Sequence, residues 1–308
     1  LSLHDALPIW YDADAVKARL AMMTPENARI WYISPNEPHN KTAYFVDAPY
    51  QVDKISAQTF ADWQKKSGEI ALKLPELNPY IPDDFSLTKT TQDYPHPALI
   101  VDEPTLRVVY TPSRYFASEP KADVSVVLRN PKAMNSAKNQ VMFALNDYLA
   151  GIALDQLSNQ AAVGGISFST NANNGLMLNA NGYTQRLPQL FQALLEGYFS
   201  YTPTEEQLEQ AKSWYAQMMD SAEKGKAYDL ALMPAQMLSQ VPYFQREDRR
   251  ALLPSITLKD VLAYRDALKT NTRPEFLIVG NMSEDQAKTL AENVRTQLGS
   301  KGDEWCRN

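Results

Sequence analysis

"NQAAVGGISFSTNANNGLMLNANGYTQRLPQLFQALLEGYF", residues 159–199, is the most patterned stretch of the chain. Ile166, Phe168 and Thr170 alternate with Ser167 and Ser169, as a half-buried strand requires. Leu176, Leu178 and Ala180 resume the alternation beyond Asn173-Asn174-Gly175, a tripeptide that suits the positive φ of a hairpin turn. Gly164-Gly165 ends a helix in the usual C-terminal manner, and residues 187–199 form the next one. The stretch therefore reads as helix, hairpin, helix, the frame of an enzyme domain.

Outward from the hairpin the pattern continues. Upstream, Asn135-Ser136 caps a long helix over residues 137–160, with apolar side chains at 141, 145, 148, 149, 152 and 157. Before it, "LRVVYTPS" and "ADVSVVLRN" are strands. Downstream, Thr204 and Gln207 have the spacing of a capping box for a helix reaching about residue 222. "PEFLIVGN" is the closing strand, and Asn281 and Ser283 offer a cap for a last helix over residues 284–298. Strands on one layer with helices clustered on the other predict an α+β fold, a mixed or antiparallel sheet with helices packed on one side.

The chain's front half is less regular. A helix over residues 14–23 precedes the aromatic stretch "ARIWYIS", in which Arg29, Trp31 and Ile33 alternate with Ile30 and Tyr32 and predict a strand. "TAYFVDAPY" is extended, and Ser56 opens a helix over residues 56–66. This looks like the end of an α+β unit, so one complete domain plus a partial one is expected. Prolines at 75, 79, 82, 95, 97 and 104 mark residues 75–104 as an extended connector between the two. "LSLHDALPI", residues 1–9, has no basic n-region and flows poorly into the helix and aromatic strand after it, so it reads as a non-native leader.

Length and charge narrow the function classes. The 308 residues suffice for one large domain or two ordinary ones, with 44% apolar and 21% charged residues in ordinary globular proportion. No apolar run reaches the roughly 20 residues that span a bilayer. The longest, near residues 141–157, is interrupted by Asn146, Asp147 and Asp155. The net charge of −6 is spread without a basic stripe, which argues against nucleic acid. A single cysteine, Cys306, permits neither an internal disulfide nor a multi-cysteine zinc site.

Catalytic constellations are missing from the pattern. The three histidines, His4, His39 and His96, have no partner at metal-ligand spacing and read as solvated loop residues. No G-x-S-x-G elbow occurs. Gly164-Gly165 and Gly182 lack the spacing of a phosphate loop, and Glu205-Glu206 is explained by the dipole of the helix it opens. No catalytic, cofactor-binding or metal-ligating residue is assigned.

Four stretches carry a resemblance that accounts for the empty frame: "ARIWYISPNEPHNKTAYFVDAPY", "ELNPYIPDDFSL", "NQAAVGGISFSTNANNGLMLNANGY" and "FLIVGNMS". In this order and spacing the chain resembles the pitrilysin/insulinase family of zinc metallopeptidases, from Trp10 to Asn308. The resemblance implies four α+β domains closing as two halves around a chamber, with zinc held by an H-x-x-E-H helix in the first. It implies that residues 10–74 are the C-terminal part of the second domain, residues 105–299 the third, non-catalytic domain, and residues 300–308 the start of a link to the fourth. The helix over residues 137–160 is then the counterpart of the zinc helix, yet it holds no histidine, and Asp147 and Asp155 stand eight positions apart. No cofactor is expected in this chain, with zinc in the full-length family member. The implied partners are the catalytic and fourth domains of the same polypeptide and small peptide substrates, with no nucleic acid and no membrane, in the periplasm. The alternative is a stand-alone, non-catalytic scaffold subunit that pairs with an active peptidase.

Overall fold

The computed structural model describes residues 12–71, 73, 76–89, 94–114, 117–130, 132–172, 175–226, 228, 231–232, 238, 242–270 and 272–299. The expected leader, the link over residues 300–308, His4 and Cys306 lie outside them. The chain divides into two units, Leu1–Glu76 and Leu77–Asn308.

In the first unit, α1 (Ala13–Ala21) starts where Asp12 Oδ1 accepts from the amides of Asp14 and Ala15. A short hairpin, β1 (Lys41–Thr42) and β2 (Pro49–Tyr50), pairs antiparallel. It is followed by α2 (Ala57–Ser67), whose N-cap is Ser56. The strand expected over residues 28–34 does not form. A strand persists only when its backbone groups find a ladder partner, and none of the described residues of this unit supplies one to that stretch. Trp31, Tyr32 and Ile33 are 80%, 77% and 93% exposed. Among the described residues of this unit none is buried.

The second unit is built on six strands: β3 (Ala98–Glu103), β4 (Leu106–Thr111), β5 (Lys121–Arg129), β6 (Ser167–Ala172), β7 (Gly175–Tyr183) and β8 (Arg273–Gly280). Their order is β3-β4-β8-β5-β7-β6, antiparallel except for the parallel pair β4 and β8. The last strand in sequence thus enters the middle of the sheet, where "FLIVG" has apolar side chains for both faces. Alternation fixes the register. Val124, Val126 and Leu128 of β5 are fully buried on one face, beside Leu176 and Leu178 of β7 and Ile278 of β8.

Helices cover that face. They are α3 (Ala137–Val163), α4 (Leu187–Ser200), α5 (Glu205–Glu223), α6 (Arg246–Leu252), α7 (Leu258–Thr270) and α8 (Glu284–Leu298). Ser136 caps α3, while Thr204 and Ser283 each form a complete capping box at the start of α5 and α8. The α+β architecture with helices on one side is therefore the observed one.

A second stretch departs from expectation. Residues 98–103, assigned from the prolines to an extended connector, form the edge strand β3 and pair with β4. Pro97 and Pro104 bracket this strand instead of interrupting it, and a proline at a strand boundary removes no ladder bond. Residues 77–89 are not free either. Tyr80 is 5% exposed within the core, Asp83 and Asp84 donate their amides to Gln185 Oε1 at 3.0 and 3.1 Å, and Thr88 exchanges two hydrogen bonds with Asn281. This strap crosses the end of the sheet at which β7 and β8 finish.

Candidate functional site

The place to look for chemistry is the inward face of α3 where it meets β6. Apolar periodicity carries α3 against the sheet, and its buried side is interrupted by polar residues, among them Asn146, fully buried, and Asp147, half-buried. Both are engaged. Tyr201 donates its hydroxyl to Asn146 Oδ1 at 2.7 Å, and Tyr198 donates to Asp147 Oδ1 at 3.1 Å. The Thr170 hydroxyl of β6 acts on the same carboxyl, opposing the upward pull of burial. Behind them Arg265 of α7 stacks on the Tyr201 ring at 5.2 Å and donates to the Tyr201 carbonyl oxygen at 2.7 Å. Residues from α3, β6, α4 and α7 thus close one polar knot inside an apolar layer.

Electrostatics agree with a structural knot. Burial pushes the Asp147 carboxyl up from its ordinary value, and the Thr170 and Tyr198 hydroxyls only partly oppose this. Burial pushes the Tyr198 and Tyr201 phenols up as well, with the Arg265 guanidinium opposing the rise at Tyr201. A phenol raised in this way stays a donor at neutral pH and cannot act as a base. The knot pairs Asn146 Oδ1 and Asp147 Oδ1, and leaves Asn146 Nδ2 buried with no hydrogen-bond partner among the described residues, a costly arrangement.

A zinc ion does not fit this donor set. The helix offers Asp147 and Asp155 as its only carboxylates, and eight residues of α-helix separate them by about 12 Å along the axis. Among the described residues, no group of three His, Cys, Asp or Glu side chains is placed to hold a metal ion. His39 and His96 are both exposed, in different units. Glu205 and Glu206 sit exposed in the first turn of α5, and Gly164 lies where α3 meets the strap. A small cleft of about 40 Å³ between Thr88, Pro112 and Met282 is large enough for water. None of the sequence candidates is brought together with another. Asn146 and Asp147 were visible in the sequence only as breaks in an apolar run, and two polar residues on the inward face of a long helix were the signal available.

Comparison with known proteins adds the larger frame. Residues 3–251 match the family described as the middle or third domain of peptidase M16. The chain is 82% identical over 298 residues to Protease 3 of Shigella flexneri, covering 97% of this chain and 31% of that protein. Protease 3 of Escherichia coli K12 is similar to the same extent. Insulin-degrading enzyme-like 1, peroxisomal, of Arabidopsis thaliana is 22% identical over 305 residues, 98% of this chain and 31% of that protein. The crystal structure of pitrilysin matches with a TM-score of 0.82 at 82% identity, covering 97% of this chain and 32% of that one. The chain spans about a third of the length of these relatives. No helix among the described residues is long and apolar enough to cross a membrane.

Proposed function

The chain belongs to the peptidase M16 family, in which it matches the middle or third domain, and from that premise we propose that it is a non-catalytic section of a pitrilysin-like zinc metalloendopeptidase. One observation carries this reading: the helix standing where the family resemblance puts a zinc helix holds no histidine and turns Asn146 and Asp147 to the hydroxyls of Tyr201 and Tyr198. The section's role is architectural. It forms part of the wall of a closed chamber that admits small peptides and excludes folded proteins by size, in the periplasm. Zinc and hydrolysis are supplied by another domain of the same polypeptide.

The first unit supports a covalent neighbour over a stand-alone scaffold subunit. A polypeptide with no buried residue among residues 12–71 has no core of its own, and further chain completing that domain resolves the deficit. Residues 10–74 are then the C-terminal part of the second domain. The coding sequence next to this stretch tests the reading. A frame continuing upstream into H-x-x-E-H supports it, and a true start codon near residue 10 points to the scaffold subunit.

A further inference from the structure

Asp147 is a carboxyl set in an apolar layer with no cation beside it. Leu145 and Leu149 flank it on α3, both buried. From α4 it meets the Tyr198 hydroxyl at 3.1 Å, and from β6 the Thr170 hydroxyl acts on it. Among the described residues, the cations on the other helices packed against α3 are engaged elsewhere. On α5, Lys212 pairs with Glu209 at 2.8 Å. On α6, Arg250 pairs with Asp220, and Arg249 donates to the Tyr215 hydroxyl at 3.3 Å. On α7, Arg265 pairs with Asp266 at 2.9 Å and donates to the Tyr201 carbonyl oxygen, while Asp260 pairs with Lys138 of α3 itself. An ionised Asp147 is therefore held by two neutral hydroxyls and by nothing of opposite sign, and a charge in an apolar layer is costly unless it is paired.

The elements that meet at Asp147 are not equally held. Tyr198 stands on α4 among Leu194, Leu195 and Phe199, all buried. β6 is an edge strand, bonded to β7 on one side only. Its Ser167, Ser169, Asn171 and Ala172 are exposed, so Phe168 and Thr170, half-buried, supply its packing on the helical layer. At its root Ile166 is buried, and Gly165 before it has φ of +72°, a backbone state that glycine adopts without strain. Of the neighbours of Asp147, β6 is the one that opens at the lowest cost, because local opening follows sparse burial and exposed ladders.

We infer that Asp147 is a pH-operated latch on β6: with its carboxyl neutral Ser167–Ala172 lies closed against α3 and β7, and with the carboxyl ionised the strand opens locally. The proton leaves to solvent along the exposed side of the carboxyl, and opening brings water to the carboxylate that remains. The direction follows from linkage. The closed strand holds the proton more tightly than the open one, so closure is complete below the ordinary carboxylate value. It weakens as pH rises towards the higher value of the closed state, and is level above it. The rest of the sheet stays folded throughout, with Ile166 as the fixed root.

The test follows amide hydrogen exchange of the whole chain, isotopically labelled, from about pH 4 to 8, with rates corrected for the intrinsic pH dependence of exchange. Protection of the ladder amides of residues 167–172 falls by about fivefold or more across the range. That opening is insensitive to urea up to about 1 M, as a local event exposing little surface must be, whereas exchange in β5 responds to urea through global unfolding. In Asp147→Asn the fall in β6 is absent. The carboxyl carbon shift of Asp147, read in the parent chain, titrates with the same midpoint as β6 protection, a comparison that stands even where the variant does not fold. Four outcomes overturn the inference: β6 protection independent of pH, an equal fall in parent and Asp147→Asn, a single urea-dependent opening shared by β6 and β5, or a carboxyl titration that does not track β6.

Discussion

Asn78 donates its side-chain amide to the carbonyl oxygen of Gln160 at 2.7 Å, so that a residue 82 positions earlier closes the C-terminus of α3. That carbonyl also accepts from the Gly164 amide at 3.2 Å, so Asn78 is the second of its two donors. Asn78→Ala removes this one and leaves the acceptor partly buried. The expected loss is about 1 kcal/mol, read as a lower urea midpoint with an unchanged slope.

Two glycines at α3 give opposite predictions. At Gly164 an added Cβ meets the Tyr80 carbonyl oxygen at 2.3 Å, a backbone atom with little freedom to move. At Gly151 it meets nothing within 4 Å. Gly164→Ala therefore destabilises by about 1–3 kcal/mol through overpacking, and Gly151→Ala stabilises by about 0.5–1 kcal/mol through helix propensity. Thermal unfolding of the two variants checks this, and changes of the same sign would refute the docked strap.

Asp147 and Asp260 predict opposite pH limbs. The Asp147 carboxyl is raised by burial, so the folded chain holds a proton that the unfolded chain releases. Its contribution is full below the unfolded carboxylate value and is lost as pH rises through the raised folded value. Asp147→Asn, which keeps an acceptor for Tyr198, flattens that decline. The Asp260 carboxylate caps α7 through Thr257 and is held down to about 2, with Lys138 assisting. Its contribution is present above the unfolded value and is lost as pH falls towards 2. Urea midpoints from about pH 2 to 8 for the parent, Asp147→Asn and Asp260→Asn resolve the two limbs.

The units should part under protease. With no buried residue among residues 12–71, trypsin is expected to cut the first unit, at sites such as Lys54 and Lys65, before it cuts the sheet. A chain beginning at Leu77 keeps the unfolding free energy of the second unit within about 0.5 kcal/mol. One beginning at Tyr94 loses Asn78, Tyr80 and the contacts to Gln185 and Asn281, and is less stable by about 2 kcal/mol or more. Equal midpoints for the two truncations would show that residues 77–89 contribute nothing.

Local signals were legible and distant ones were not. The hairpin strands, the capping boxes at Thr204 and Ser283, and the long helix after Ser136 are encoded within a few residues, and all are present. The strand β3 was hidden because Pro97 and Pro104 look like breakers until the ladder with β4 is seen. The aromatic stretch over residues 28–34 has strand alternation, but pairing is a property of two segments, and no described residue of the first unit pairs with it. The knot around Asp147 joins residues 51 and 55 positions apart, a separation at which periodicity carries no information. Its two halves were in view, and their meeting was not.

The most direct test of the central claim is metal and turnover measured on one preparation. The purified chain is dialysed against a zinc buffer, its bound zinc is counted, and it is then incubated with a fluorogenic peptide. The account predicts well below one zinc per chain and no cleavage above the rate without protein. One tightly held zinc per chain, with cleavage abolished by a chelator and restored by the metal, would contradict it.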